Sequence, residues 1–210
     1  MLFFDTPDPA PNPRRVRIFL SEKGITLPMQ EVAIARGEHK APDYLAINPL
    51  GQTPSLKLDD GEVLTESVAI CRYLESLHPE PPLFGRDGLE AARVDMWSRR
   101  VEMRLMVPIS MIWVHTHKFT ARLSPRFPEW GEANRPRAQA AFRTFDERLG
   151  EARFLTGDAF TIADILLLTT VDFAAFIGEP FAAENANLAR WHAEVSARPS
   201  VAGRVEEVAA

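Results

Sequence analysis

The sequence predicts two units of different class, an α+β half followed by an all-α half, and three observations support this. In residues 1–78, short apolar runs alternate with segments of helical period, the pattern of strands interleaved with helices. Pro79-Glu80-Pro81-Pro82, followed by Gly85 and Gly88, then interrupts the chain with a proline cluster that suits a linker. From Leu89 onward apolar residues recur every three or four positions, and no strand pattern returns. The expected boundaries are 1–78 for the first unit, 79–88 for the linker and 89–210 for the helical unit.

Leu2-Phe3-Phe4 reads as a buried first strand. Pro7, Pro9, Pro11 and Pro13 make the next segment a stiff loop. Asn12-Pro13-Arg14-Arg15 opens a helix, with asparagine as N-cap and proline at the first helical position. Val16, Phe19, Leu20 and Lys23 share one helical face, and Gly24 is a natural stop. Met29 to Ile34 gives a second strand, and Tyr44 to Ile47 a short helical turn. Ser55-Leu56-Lys57-Leu58 alternates as a strand, Asp59-Asp60-Gly61 closes a hairpin, and Val63-Leu64 pairs back. A helix follows from Val68 towards Leu77, with Ile70, Tyr73, Leu74 and Leu77 on one face. This order of elements describes a thioredoxin-like half.

In the second half, Leu89 to Phe119 has the period of one long helix, which Pro108 is expected to kink or break. Ser124 to Arg137 is proline-rich and reads as a loop, and Ala138 to Leu149 as the next helix. Thr161 and Asp164 have near capping-box spacing before a strongly apolar run. Leu188 to Ala197 is one more helix, stopped by Arg198-Pro199, and Val201 to Val208 frays into a tail.

Composition limits the function. The 46% hydrophobic content is enough for a core in each half, and a net charge of −5 argues against a nucleic-acid partner. Cys71 is the only cysteine, which leaves no disulfide framework and no cysteine-based metal site. His115 and His117, two apart on a helix, point to different sides, so no metal is expected there either. No apolar run is long enough to span a bilayer, and the first residues lack the basic flank of a signal peptide. The expectation is a cytoplasmic protein with no membrane partner.

The stretch Asn48 to Ser67 carries the chemistry. Asn48-Pro49 and Gly51 close a turn, and Thr53-Pro54 lies just before a strand, where proline is tolerated. A cis bond there would turn the Thr53 backbone outward to pair with a peptide-like ligand, although only about 5–6% of such bonds are cis. Thr65, Glu66 and Ser67 begin a helix. They read either as caps or as an anion site at the helix N-terminus.

Asn-Pro-Leu-Gly-Gln-Thr-Pro followed by Leu-Thr-Glu-Ser-Val-Ala-Ile-Cys-Arg-Tyr-Leu resembles the glutathione-site half of the cytosolic glutathione transferases, in a bacterial theta- or nu-like form. The resemblance extends over nearly the whole chain. It implies a cis Pro54, with Thr53 pairing with the cysteinyl unit of glutathione and Glu66 and Ser67 holding its γ-glutamyl end. Gly37-Glu38-His39-Lys40 resembles a theta-type pattern in which His39 and Lys40 approach the glycine carboxylate; the plain alternative is two exposed loop residues. Gln52, just before Thr53, is a similar case.

The resemblance also implies a thiol-activating group before the first helix. The hydroxyl position of the serine-type members falls on Ala10, which donates nothing. Asn12 matches the asparagine that nu-like members use, and its side-chain amide can donate to a thiolate. Activator and simple N-cap both stand as readings of Asn12, with Thr6 as a fallback. Met103, Met106, Ser110 and Trp113 form a stripe that reads as core, while the resemblance makes Met106 and Trp113 walls of the second-substrate pocket. Asp164 is assigned to folding, and Cys71 is excluded as a nucleophile. The implied activity is a glutathione transferase in which glutathione is the co-substrate, no metal takes part and a small hydrophobic electrophile is attacked, in a detoxifying homodimer. A glutathione-dependent disulfide or peroxide reductase, or a non-catalytic binding or regulatory protein on the same fold, is the alternative.

Overall fold

The computed structural model describes residues 1–122 and 125–202. Two compact units emerge, Met1–Leu83 joined by the last helix, and Phe84–Arg198. That last helix was expected with the helical half; instead it groups with the first unit, where Ser200 hydrogen-bonds Glu22 of the first helix.

The first unit contains β1 (Leu2–Asp5), α1 (Pro11–Lys23), β2 (Met29–Glu31), α2 (Pro42–Leu45), β3 (Ser55–Lys57), β4 (Val63–Thr65), α3 (Ser67–Leu77) and the last helix, Pro199–Ala202. Its sheet runs in the order β2-β1-β3-β4, with β1 parallel to β2 and antiparallel to β3. Phe3 and Phe4 point to opposite faces and both are buried, so the sheet is covered on both sides. Phe4 meets Tyr44 edge-on at 5.8 Å, while α1 and α3 pack against each other. The strand expected from Met29 to Ile34 stops at Glu31, and Ile34–Arg36 forms a 3₁₀ turn. Lys23, on the predicted apolar face, is buried; its ammonium donates to the carbonyls of His78 (2.9 Å) and Pro79 (3.3 Å) just beyond α3 and pairs with Glu75. A cation at a helix C-terminus satisfies carbonyls that have no partner within the helix.

The second unit contains α4 (Gly88–Val101), α5 (Val107–Thr116), α6 (Pro128–Glu151), α7 (Ile162–Phe176) and α8 (Ala186–Ser196). α4 and α5 are continuous through a π-helical turn at Glu102–Met106, and the expected break at Pro108 is absent. A wider turn directly ahead of proline accommodates the backbone donor it lacks. The helix ends at Thr116 rather than Phe119, and Lys118–Arg122 is 3₁₀. The loop expected over 124–137 is also corrected. Ser124 lies outside the described residues, but α6 starts at Pro128 and carries Pro136 inside it. Residues 203–208 of the expected tail likewise lie outside the described residues. Among the described residues, no helix is long and apolar enough to cross a membrane.

The core of this unit is α7, buried at every position from Thr161 to Val171, as befits a helix that is apolar all round. Its start is fixed by Asp164, whose carboxylate accepts from the Leu155 N–H (3.0 Å), the Thr161 N–H (3.1 Å) and the Trp191 indole (3.1 Å). Burial outweighs these bonds and pushes the carboxyl up to about 6. Its folded pKa thus stands above the ordinary 3.8. The stabilisation is full below the unfolded value and is lost as pH rises through the folded one. Between about pH 4 and about pH 7, urea denaturation should show wild type losing about 2 kcal/mol relative to Asp164→Asn. A gain over that range would contradict the assignment.

Candidate functional site

An open pocket lies in the first unit, lined by Asn12, Asn48, Gln52, Thr53, Pro54, Thr65, Glu66 and Ser67. Its walls come from the start of α1, the turn before β3, and the junction of β4 with α3. Sequence positions 12, 52–54 and 66–67, assigned to one ligand by resemblance, therefore share a cavity.

The helix α1 begins at Pro11, with Ala10 as a cap that makes no side-chain bond, so Asn12 is not the N-cap expected from sequence. The reason is local. Pro11 and Pro13 both lack an N–H, so a first turn containing them has fewer donors that need an acceptor. Asn12 is released from capping and lines the pocket, where its Oδ1 accepts from Arg15 Nη1 at 3.0 Å.

The turn before β3 is built around the Gln52 carbonyl. Asn48 Nδ2 donates to it at 2.8 Å and the Tyr44 hydroxyl at 2.7 Å. Asn48 Oδ1 in turn accepts from the Leu50 N–H at 3.1 Å, and the Gly51 N–H donates to the Asn48 carbonyl at 2.8 Å. Gly51 adopts φ 57, and a Cβ there would stand 2.6 Å from the His39 carbonyl, so the position requires glycine. The Thr53–Pro54 bond that follows is cis. Thr53 Oγ1 lies 2.8 Å from Thr6 Oγ1, which donates to the Val32 carbonyl. Thr6, the fallback activator, is therefore a buried support outside the pocket lining.

At the third wall β4 ends and α3 begins within one residue. Glu66 makes the turn with φ 64 and ψ 112, the one positive φ at a non-glycine among the described residues. This conformation costs a side-chain-bearing residue about 1–3 kcal/mol. Glu66 makes no side-chain cap bond to its helix and is one of the residues lining the pocket. Ser67 is buried, and its Oγ accepts from Arg15 Nη1 at 2.6 Å. A carboxylate, a hydroxyl and a helix N-terminus side by side can take the ammonium and carboxylate of one α-amino acid group.

His39 and Lys40 lie in a 3₁₀ turn outside the lining. The Lys40 ammonium donates to the Leu50 carbonyl at 3.0 Å, bracing the turn that leads to Gln52. His39 is buried, so the plain alternative of an exposed loop residue does not hold for it. Burial, with the charge of Lys40, lowers its pKa. Met106 lies in the π turn of the helical unit. Trp113 is the hub of a ring cluster there, stacked on His117 at 4.3 Å and edge-on to Phe173 at 5.3 Å. Cys71 is fully buried and its thiol is pushed upward by burial, so it is not a nucleophile. Sequence reading missed Asn48 and Thr65 as lining residues and Arg15 as a buried partner of two others. Arg15 falls four residues before Phe19, on the predicted buried face, and that spacing was the available signal.

Family models described as the N-terminal and C-terminal domains of glutathione S-transferase match residues 10–77 and 128–194. Glutathione S-transferase 2 of Saccharomyces cerevisiae is 37% identical over 96% of this chain and 88% of its own. The crystal structure of a glutathione S-transferase domain-containing protein from Marinobacter aquaeolei superposes with a TM-score of 0.91 at 35% identity, covering 96% of this chain and 100% of that one. That of Gtt2 from Saccharomyces cerevisiae gives 0.91 at 34%, covering 96% and 99%.

The strain at Glu66 predicts that Glu66→Gly is about 1 kcal/mol more stable than Glu66→Ala by urea denaturation, relief of φ outweighing the entropy that glycine adds to the unfolded chain. A glycine variant no more stable than the alanine one would show that the turn carries no strain.

Proposed function

The chain belongs to the glutathione S-transferase family, and from that premise we propose that it binds glutathione, holds its sulfur as a thiolate beside Asn12 and transfers it to a small hydrophobic electrophile. The observation that carries the reading is the single pocket shared by Asn12, Thr53, Glu66 and Ser67. In the reading proposed, the Glu66 carboxylate takes the ammonium of the γ-glutamyl end. Ser67 and the N-terminus of α3 take its carboxylate. The backbone of Thr53 pairs with the cysteinyl unit as an added strand would, with Gln52 beside it. Lys40, with His39 as a weaker contact, serves the glycine carboxylate.

The Asn12 amide then donates to sulfur, at the N-terminal end of α1, where the helix dipole also favours negative charge. The thiol proton leaves to solvent, and the thiolate electron pair forms the new bond to the electrophilic carbon. The leaving group departs with the electrons of the bond that breaks. Met106 and Trp113 are the walls proposed for the electrophile, on the family likeness. A cytoplasmic homodimer that removes electrophiles is the setting proposed on the same ground. Cys71 is buried, and in this reading glutathione supplies the sulfur that reacts.

The test is a titration of glutathione followed by its thiolate absorbance. Wild type should bind it ionised at neutral pH, and Asn12→Ala should raise the bound thiol pKa by about 1–2 units, the worth of a hydrogen bond to a charged group. Binding with the same thiol pKa in both proteins would remove Asn12 as activator. No binding at all would overturn the enzyme reading in favour of a binding or regulatory protein.

A further inference from the structure

We propose that Arg15 is a positioning residue that sets the direction in which the pocket's polar side chains donate, and through Asn12 sets the acidity of the bound thiol. The inference rests on the functional reading above. A guanidinium carries donors and no acceptor. The two hydrogens of Nη1 go to Asn12 Oδ1 at 3.0 Å and Ser67 Oγ at 2.6 Å. Arg15 itself is 1% exposed, so the pair of bonds is made out of water, where a cation holds its acceptors firmly.

The orientation of both side chains follows from this polarity. An amide that gives its oxygen to a cation turns its NH₂ the other way. For Asn12, a lining residue three positions before Arg15 on α1, that leaves two donors for the cavity. The reversed amide would set N–H against N–H and leave the cavity a carbonyl oxygen, which repels a thiolate. Ser67 obeys the same rule. Its oxygen accepts from Arg15, so its own hydrogen is left for an acceptor in the pocket. One cation thereby turns two side chains that could each donate or accept into donors aimed at anions, one near the sulfur and one near the γ-glutamyl carboxylate. It also draws electron density through the Asn12 carbonyl, which strengthens the amide N–H as a donor. Arg15 acts through these groups and is not a catalytic residue itself.

The experiment measures the thiol pKa of bound glutathione, from thiolate absorbance against pH, in wild type, Asn12→Ala, Arg15→Lys, Arg15→Met and the double variant Asn12→Ala/Arg15→Lys. Lysine keeps the charge but cannot repeat the planar fork. Arg15→Lys is expected to raise the thiol pKa by about one unit, a tenfold loss of thiolate affinity for its site. Arg15→Met should raise it at least as far. On the Asn12→Ala background the lysine substitution should add nothing, because its effect passes through that amide. Should Arg15→Met fail to fold, the lysine variant and the double variant decide alone. A wild-type thiol pKa in Arg15→Lys, or a shift of equal size with and without Asn12, would overturn the inference. Wild type without any thiolate overturns the functional reading and this inference with it. A thiolate that depends on Asn12 and not on Arg15 overturns this inference alone.

Discussion

The site depends on one change of direction, the turn at Glu66 between β4 and α3. β4 is held antiparallel to β3 with Thr65 opposite Ser55, so the register of one hairpin fixes how far the Glu66 turn stands from Thr53 and Pro54. A slip by one residue would send every side chain of the strand to the other face. With the register set, the positive φ at Glu66 lets α3 begin at the next residue. The carboxylate and the helix N-terminus are then neighbours of opposite sign. Glycine would make this turn without strain, but it would remove the carboxylate. The sequence keeps the costlier residue here, as the proposed reading of a zwitterionic ligand end requires.

The two units divide their buried polar groups by purpose. Asp164 is buried, its carboxyl is raised to about 6, and it would look catalytic on those grounds alone. Its oxygens, however, are occupied by Leu155, Thr161 and Trp191, which join the start of α7 to the turn before it and to α8. Burial therefore shifts this group for a structural reason. In the first unit, three groups of the pocket are bound differently. Asn12 and Ser67 each give an oxygen to Arg15 and remain lining residues, and Glu66 makes no cap bond.

Much of the site was legible because its signals are local. Asn48-Pro49, Gly51, Pro54 and the Asp59-Asp60-Gly61 hairpin are turn chemistry, and the elements they separate fell where expected. The N-cap reading of Asn12 fails because Pro11 rather than Pro13 is the first helical residue, and both prolines fit that role equally well by sequence. The start of α6 was missed because prolines at 125, 128 and 136 suggested a loop. Pro128 is a helix opener, and the cost of Pro136, about 3 kcal/mol, is outweighed by the face buried through Ala138, Ala141, Phe142, Phe145 and Leu149. The link from Arg15 to Ser67, by contrast, spans 52 residues and leaves no local trace. Only the packing of α1 on α3 creates it.

The central claim is that this corner reads the α-amino acid end of glutathione, with Glu66 facing the ammonium. Calorimetric titration of glutathione, and of the analogue that lacks only the γ-glutamyl amino group, tests it most directly in wild type and Glu66→Gln. The account predicts that removing the amino group weakens binding to wild type by about tenfold to a hundredfold, the worth of a charged hydrogen bond, and has little effect on binding to Glu66→Gln. Equal affinity of the two ligands for wild type, or the same loss in both proteins, would contradict it.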